Sequence, residues 1–316
     1  MKTFFFSSVV SSFYIFKFLA MQDSLLEHCS NYHLFTLCVD AAAYEILERL
    51  DLKNTTLIPV SELEKGRLYK AKKDRNYHEY CWTLKPFFLN HIMQTYKDTC
   101  YYANLDADLY FYSDPVQIIS ESPSASIFLT DHNFSAEFLS SYETSGRFNT
   151  GFVCCKKDRT ANAAVNWWLD MCYEKCSLIA DANREIYGDQ RYVEKWPFLF
   201  PNVHIISSRG ANVAQWNVAG YKIHEKDGEA YIEDDRLIFY HFSGLEILSK
   251  DEYSLCTFYR IEDNPLNLIY MPYIENLRKQ ITLVQVCFPD FRDSYANRIF
   301  AANIHRVNLS AALTKP

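Results

Sequence analysis

Glycine is scarce in this sequence, with eight residues among 316. Neither G-x-G-x-x-G nor G-x-x-x-x-G-K-[ST] occurs, so the glycine-rich phosphate cradles of dinucleotide-binding and P-loop proteins lose support. The ten cysteines form no C-x-x-C pair, and neither a zinc ribbon nor a small disulfide framework is indicated. We expect buried, reduced thiols in a cytosolic protein.

Positive charge is also limited, because 32 Lys and Arg face 39 Asp and Glu and the net charge is -7. The basic residues form no stripe along the sequence, so nucleic-acid binding is not expected. By contrast, the hydrophobic fraction of 49% and the aromatic fraction of 16% predict a substantial core. The length suits one large α/β domain or two ordinary ones.

The apolar N-terminal run from Phe4 to Phe18 imitates a signal peptide or a short membrane anchor. Four serines and Lys17 interrupt it, which makes it a poor spanning helix. We therefore predict a strand at Thr3–Val10 and a helix at Phe13–Cys29. The alternative is a targeting segment, whose cleavage would delete the first strand of the sheet.

Apolar runs alternate with helical patterns along the chain, which predicts an α/β sandwich with a mostly parallel sheet. The further predicted strands are His33–Val39, Thr55–Val60, Cys100–Leu105, Ala125–Thr130, Phe148–Cys155 and Leu237–Phe242. The predicted helices are Ala41–Leu50, Tyr80–Tyr96, Val116–Ser120, Ala161–Cys176 and Tyr270–Ile281. We divide the chain into a catalytic domain, residues 1–258, and a helical C-terminal extension packed on it, residues 259–316.

The predicted strand Cys100–Leu105 ends in two acidic residues, Asp106 and Asp108. Side chains at i and i+2 of a strand end point the same way, so the two carboxylates converge. Paired like charges repel and favour a cation between them, and carboxylate oxygens suit Mg²⁺ or Mn²⁺. The alternative is a solvated acidic loop, which is the usual role of an Asp-x-Asp pair.

Two other polar residues follow predicted strands, Asp40 and His241. Ligands of α/β sheets bind beyond the carboxyl ends of the strands, so these residues and the acidic pair are expected to share one site. An imidazole beside two carboxylates favours Mn²⁺ over Ca²⁺. The alternative for His241 is a hydrogen-bonded residue of the core.

Four motifs occur in the order seen in glycosyltransferases of the GT-A fold. They are Asp106-Ala-Asp108 after a strand, Asn149-x-Gly151, Gly188-Asp-Gln190 and His241-x-x-Gly244. Over about residues 3–250 the chain most resembles glycosyltransferase family 8 and its bacterial relatives in surface-polysaccharide clusters. The resemblance implies a Rossmann-like αβα sandwich of GT-A type with a mostly parallel central sheet, and the pattern of the residues after about 260 predicts a helical C-terminal tail.

The resemblance also implies ligands and site residues. Asp106, Asp108 and His241 would hold Mn²⁺ or Mg²⁺, and the donor would be a nucleoside-diphosphate sugar, with a UDP-sugar as the first candidate. The donor site would include Ser7, Ser8, Asp40, Lys85, Asp106, Asn149 and Gly244. One departure concerns the lysine that the family commonly carries three residues after the His-x-x-Gly glycine, because Ile247 stands there and the nearest lysine is Lys250.

Asp189 and Gln190 are the candidate catalytic residues. An acidic or amide side chain can stabilise an oxocarbenium-like sugar or deprotonate the acceptor. The alternative is a turn that opens a helix with Asp189 as its N-cap. The choice between inversion and retention stays open on the residues, and the resemblance favours retention by a hexosyltransferase-type enzyme.

The functional prediction is a metal-dependent glycosyltransferase acting on a glycan or lipid-linked acceptor in surface-polysaccharide synthesis. We expect it in the cytoplasm or at the inner face of the membrane. The segment Tyr295–Leu309 is either a membrane-surface helix or an ordinary packed one. The alternative function is a non-catalytic GT-A-like protein that binds a nucleotide sugar or glycan. A sugar nucleotidyltransferase is disfavoured, because its usual glycine-rich basic loop is missing from the N-terminal sequence.

Overall fold

The computed structural model describes residues 3–181, 185–296 and 304–310. Its strands are β1 (Phe4–Val10), β2 (Tyr32–Cys38), β3 (Thr55–Pro59), β4 (Tyr101–Leu105), β5 (Leu109–Phe111), β6 (Ile127–Asp131), β7 (Phe148–Lys156), β8 (Val203–Ile205), β9 (Val213–Ala214), β10 (Ile223–Lys226), β11 (Glu229–Ile232), β12 (Asp235–Arg236), β13 (Phe239–His241), β14 (Glu246–Ser249), β15 (Glu252–Cys256) and β16 (His305–Asn308). The helices are α1 (Ile15–His28), α2 (Ala41–Leu50), α3 (Arg67–Asp74), α4 (Tyr77–Thr95), α5 (Ser141–Ser145), α6 (Arg159–Glu174), α7 (Gln190–Val193), α8 (Trp196–Leu199), α9 (Asp263–Pro265) and α10 (Met271–Cys287).

A seven-stranded sheet in the order β3-β2-β1-β4-β7-β6-β8 forms the centre of the molecule. Neighbouring strands are parallel except where β7 pairs with β4 and with β6. The prediction of a mostly parallel central sheet is therefore confirmed. The predicted N-terminal strand is also confirmed, because β1 lies inside this sheet between β2 and β4.

Side chains of the central strands alternate between two cores, one on each face of the sheet. In β1, Phe4 and Phe6 pack in the core that α1, α2 and α10 complete. Phe5 and Val9 point the other way, toward the core that includes α4 and α6. This period of two follows from the pleat of a strand. The result is the predicted three-layer αβα sandwich.

A second, three-stranded sheet in the order β5-β13-β9 extends from the end of β4. Strand β13 runs antiparallel to β5 with His241 opposite Leu109. The amide of Phe242 donates to the carbonyl of Asp108 at 2.8 Å, which continues this ladder. A residue far along the chain is thereby placed beside the acidic pair that follows β4.

The C-terminal extension is only partly helical. Its main helix, α10, covers the predicted Tyr270–Ile281 almost completely and continues to Cys287. The prediction is wrong for His305–Asn308, which form a strand, β16, antiparallel to β15. The reason is a free strand edge: β15 pairs with β14 on one side, and β16 takes the hydrogen bonds on its other side. Residues 297–303 of the segment considered for membrane contact lie outside the described residues.

None of the described helices is both long enough and apolar enough to cross a membrane. All ten cysteines lie in the described residues and are free thiols. Seven of them are buried, as predicted, whereas Cys81 is half-buried and Cys100 and Cys287 are exposed.

The carboxylate of Asp40 joins three elements near the ends of β1 and β2. Its Oδ1 accepts the amide of Ala43 at 2.8 Å and so caps α2. Its Oδ2 accepts the amide of Ser12 and the hydroxyl of Tyr77, both at 2.9 Å. Donors of the protein thus occupy both oxygens of this side chain in the structure.

We expect Asp40→Ala to lower the free energy of unfolding by about 2 kcal/mol, the upper end for an N-cap, because two further donors lose their acceptor. The matched control is Asp158→Ala, which removes the cap of α6. This cap consists of a single hydrogen bond, donated by the amide of Ala161 at 2.9 Å. That variant should lose about 1 kcal/mol in urea denaturation. Equal losses in the two variants would contradict the three-element role of Asp40.

Candidate active site

A cavity of about 460 Å³ opens beyond the carboxyl ends of β1 and β4. This volume lies within the usual range for small-ligand sites. The cavity is lined by aromatic side chains, charged side chains and amides. Among the predicted site residues, the lining contains Lys85, Asp106, Asp108, Asn149, Asp189, Gln190 and His241. Ser7, Ser8, Asp40 and Gly244 are not part of it.

Asp106, Asp108 and His241 form a cluster in the wall of the cavity. The Nε2 atom of His241 lies 3.2 Å from Oδ1 of Asp108 and 4.0 Å from Oδ2 of Asp106. One ligand atom from each residue lies within 4.8 Å of the other two. The fold produces this cluster through a turn after β4, in which the amide of Leu109 donates to the carbonyl of Asp106, and through the pairing of β5 with β13. The predicted convergence of the three residues is confirmed by this geometry.

The chemistry of the cluster fits a divalent cation. The Oδ1 atom of Asn149 accepts the amide of Gly151 at 2.8 Å and lies 3.1 Å from Nδ1 of His241. An amide oxygen only accepts, so Nδ1 carries a hydrogen, and the lone pair of a neutral His241 is on Nε2, toward Asp108. A lone pair facing a carboxylate oxygen is repulsive unless a proton or a metal ion lies between them. Two carboxylates and an imidazole are a ligand set for Mn²⁺ or Mg²⁺.

Gly151 makes room for the His241 ring. A Cβ atom on this glycine would lie 2.7 Å from Cε1 of His241 and 2.8 Å from Oδ1 of Asn149. The backbone of Gly151 also positions the acidic pair, because its carbonyl accepts the amide of Asp106 at 2.8 Å. The Asn149-x-Gly151 pattern therefore has a steric reason in addition to its resemblance to the glycosyltransferase motif.

Lys85 lies on the inner face of α4 between two carboxylates. Its Nζ is 2.8 and 2.9 Å from the two oxygens of Asp106 and 3.5 Å from Oδ2 of Asp189. Burial alone lowers the pKa of Lys85, but the carboxylates of Asp106 and Asp189 outweigh it and raise this pKa above its usual value. Lys85 therefore stays charged and holds Asp106 in place.

Asp189 is buried and faces the cavity from the start of α7. Besides Lys85, its carboxylate accepts the hydroxyl of Thr150 at 2.8 Å, and its carbonyl accepts Nε1 of Trp168 at 2.9 Å. Asp189 occupies the N-cap position of α7, but its side chain makes no capping hydrogen bond, so the capping role considered from the sequence is wrong. Gln190 lines the cavity and donates to the carbonyl of Ser145.

The remaining predicted donor residues lie outside the cavity wall. Ser7 and Ser8 are buried within β1, and the hydroxyl of Ser7 donates to the carbonyl of Ala103 at 3.5 Å. Gly244 is packed against Gln215, whose amide nitrogen lies 2.1 Å from the place of a Cβ. In the structure the absence of a side chain at Gly244 thus serves contact with Gln215.

Lys17 and His132 are among the site residues that escaped the sequence-based prediction. Lys17 is buried in α1 and donates to the carbonyl of Phe242 at 3.3 Å. Burial raises the pKa of Asp108, but His241 first and then Lys17 lower it below its usual value. The signal of Lys17 in the sequence is that no other charged residue occurs between Lys2 and Asp23. His132 lines the cavity just after β6. Its position after an apolar strand is the same signal that identified His241.

No family model matches the chain. Two proteins of Bacillus subtilis (strain 168), both described as uncharacterized, are similar to almost all of it. YfnD is 48% identical over 310 residues, which are 98% of this chain and 100% of YfnD. YfnF is 32% identical over 291 residues, which are 90% of this chain and 95% of YfnF.

Two solved glycosyltransferase structures resemble the chain. The galactosyltransferase LgtC, in complex with donor and acceptor sugar analogs, matches with a TM-score of 0.53 and 10% identity over 87% of this chain and 95% of LgtC. The bifunctional glycosyltransferase WbbM matches with a TM-score of 0.53 and 13% identity over 90% of this chain and 52% of WbbM. The chain has the GT-A fold, as predicted.

We expect Lys85→Met to lower the free energy of unfolding at pH 7 by about 3–5 kcal/mol, because it leaves buried carboxylates without their cation. The matched control is Lys72→Met, since Lys72 pairs with Glu64 at 2.6 Å on the surface. That variant should lose at most about 1 kcal/mol. Urea denaturation measures both, and a loss for Lys85→Met as small as the control's would contradict the bridging role of Lys85.

The stability of the protein should depend on pH through His132. Burial lowers the pKa of His132 from 6.5 to about 4. His132 therefore takes up a proton at a higher pH in the unfolded chain than in the folded protein. The contribution of neutral His132 to stability is complete above about pH 6.5 and is lost as the pH falls to about 4. The stability of the wild-type protein relative to His132→Phe should fall by about 3 kcal/mol between pH 7 and pH 4. If the free energies of unfolding of the two proteins changed by the same amount between pH 7 and pH 4, the prediction would be contradicted.

Proposed function

The chain belongs to the family of YfnD and YfnF, and we propose that it is a metal-dependent glycosyltransferase using a nucleoside-diphosphate sugar. The observation that carries this proposal is the cluster of Asp106, Asp108 and His241, whose ligand atoms converge in the wall of a cavity. This cavity lies beyond the strand ends of a GT-A fold, where α/β sheets bind ligands. The motif order supports placing the chain near glycosyltransferase family 8.

Asp106, Asp108 and His241 would hold Mn²⁺ or Mg²⁺ together with the diphosphate of the donor. The bound ion would supply Lewis-acid stabilisation of the charge on the departing nucleoside diphosphate. The protein supports this with a fixed frame, since Lys85 contacts both oxygens of Asp106. Lys17 also acts electrostatically on Asp108, since after His241 it lowers the pKa of that carboxyl group. The set of charges is therefore positioned before the donor arrives.

Asp189 and Gln190 are the proposed catalytic residues. Both line the cavity. The ammonium group of Lys85, at 3.5 Å, and the hydroxyl of Thr150, at 2.8 Å, hold the carboxyl group of Asp189 in the cavity wall, where a carboxylate suits stabilisation of a positively charged sugar. Retention of the anomeric configuration is the stereochemical outcome we propose, on the resemblance to family 8.

Two pairs of aromatic side chains line the cavity and are candidates for contacts with donor and acceptor. The rings of Phe13 and Tyr77 meet edge to face at 5.8 Å and suit the nucleobase of a UDP-sugar. The rings of Phe138 and Phe258, with centroids 5.1 Å apart, suit an acceptor. We propose a glycan or a lipid-linked acceptor of surface-polysaccharide synthesis on the cytoplasmic side.

The first experiment is a thermal-shift panel of nucleoside diphosphates and nucleotide sugars, each with and without Mn²⁺. A ligand of the native state at a hundredfold excess over its Kd stabilises by about 2.7 kcal/mol, which shifts the melting temperature by several degrees. We expect one nucleoside diphosphate to raise it only when Mn²⁺ is present. A panel without any Mn²⁺-dependent shift would refute the proposed function.

Asp108→Asn tests the metal site directly. It removes a negative ligand while keeping the shape of the side chain, so the Mn²⁺-dependent shift and release of nucleoside diphosphate from the donor should both be lost. The matched control is Asp170→Asn, since Asp170 is half-exposed and pairs with Arg67 on the surface. The control should behave as the wild-type protein, and full turnover by Asp108→Asn would show that the metal assignment is wrong.

A further inference from the structure

We propose that His132, acting through Asn149, fixes the tautomer of His241. His132 is then a positioning residue, because it touches neither the metal position nor the cluster of carboxylates directly. This inference rests on the proposed function only in that it treats His241 as a metal ligand. It names a residue whose effect reaches the site through two hydrogen bonds.

His132 contacts a backbone carbonyl through one of its ring nitrogens. The Nδ1 atom of His132 lies 3.1 Å from the carbonyl oxygen of Arg147. A carbonyl oxygen only accepts, so Nδ1 of His132 carries a hydrogen. Burial lowers the pKa of His132 to about 4, and the ring is therefore neutral at neutral pH. The remaining ring nitrogen, Nε2, must then be an acceptor.

The side-chain amide of Asn149 contacts this ring in turn. Its Nδ2 atom lies 3.4 Å from Nε2 of His132 and donates to it. Its Oδ1 atom accepts the amide of Gly151 at 2.8 Å. These two contacts require the same orientation of the Asn149 amide independently of each other. Nε2 of His132 needs a donor, which is Nδ2 of Asn149, and the amide of Gly151 needs an acceptor, which is Oδ1 of Asn149. The amide of Asn149 is therefore held at both ends.

The orientation of the Asn149 amide decides the tautomer of His241. Its Nδ1 atom lies 3.1 Å from Oδ1 of Asn149. If the hydrogen were on Nε2, two lone pairs would face each other at this contact. The arrangement therefore selects the Nδ1–H form of a neutral His241, whose Nε2 lone pair faces Asp108. A metal ion requires this form, since a neutral imidazole coordinates through its unprotonated nitrogen.

Burial keeps this chain of hydrogen bonds rigid. The exposed fractions of His132, Asn149 and His241 are 3%, 6% and 4%. The ring of His132 stacks on Phe134 at 4.6 Å, and Trp216 lies edge-on to both histidine rings. Hydrogen-bond partners of metal-binding histidines orient the ring and raise ligand basicity. Here a second histidine, one residue further from the proposed metal position, holds the orientation of that partner together with the amide of Gly151.

The first test reads the tautomers directly by ¹⁵N nuclear magnetic resonance of the histidine side chains. The protein is saturated with Mg²⁺, which is diamagnetic, at pH 7. We expect both His132 and His241 in the neutral Nδ1–H form. Either ring in the Nε2–H form, or a protonated His132, would overturn the inference. Because this readout needs no sugar transfer, it holds whether or not the proposed glycosyltransferase function does.

The second test compares His132→Phe with His132→Gln. Phenylalanine keeps the ring that stacks on Phe134 but cannot accept from Asn149, whereas the amide oxygen of glutamine can replace Nε2. Titration with Mn²⁺ alone, followed by electron paramagnetic resonance of the free ion, should show affinity about 10–100-fold weaker for His132→Phe. His132→Gln should recover most of this loss. Wild-type Mn²⁺ affinity in folded His132→Phe, or no recovery in folded His132→Gln, would overturn the inference.

Discussion

The compensation of buried negative charge is the constraint on which the site depends. Asp106, Asp108 and Asp189 bring three carboxylates to one cavity, and each would be costly without a counter-charge. Lys85 and Lys17 supply two positive charges from α4 and α1. Three carboxylates thus face two ammonium groups, and burial lowers the pKa of one of these, Lys17. The site is therefore built with a deficit that a divalent cation reverses.

The pairing of strands that are distant in the sequence places His241 beside Asp108, and a glycine leaves room for the His241 ring. His241 reaches Asp108 because β13 pairs with β5 in a register that sets His241 opposite Leu109. The ring can lie there only because Gly151 has no side chain at the point of contact. A scarcity of glycine in the sequence is thus compatible with glycine being decisive at one position.

Much of the fold and the centre of the site could be predicted from the sequence, because both depend on local patterns. Apolar strands followed by polar residues identified Asp106, Asp108 and His241, and alternation identified the central sheet. Lys17 was missed because its partner, the backbone carbonyl of Phe242, lies far along the chain. His132 carried the same local signal as His241, but only the structure shows its contact with the amide of Asn149. The strand β16 was missed for a related reason, since its four residues are strand only through pairing with β15.

At the proposed metal site, Asp106 would be the residue for which two cations compete. Lys85 contacts both of its oxygens, at 2.8 and 2.9 Å, and an oxygen shared with a metal ion must give up part of that contact. Asp189 is the second acceptor next to Lys85, at 3.5 Å, so the ammonium group can shift toward it without losing a charged partner. Under the proposed function, metal binding at Asp106 and the charge environment of Asp189 would therefore be coupled through one lysine. Because Asp189 is a proposed catalytic residue, this coupling links occupation of the metal site to the electrostatics of the reacting sugar.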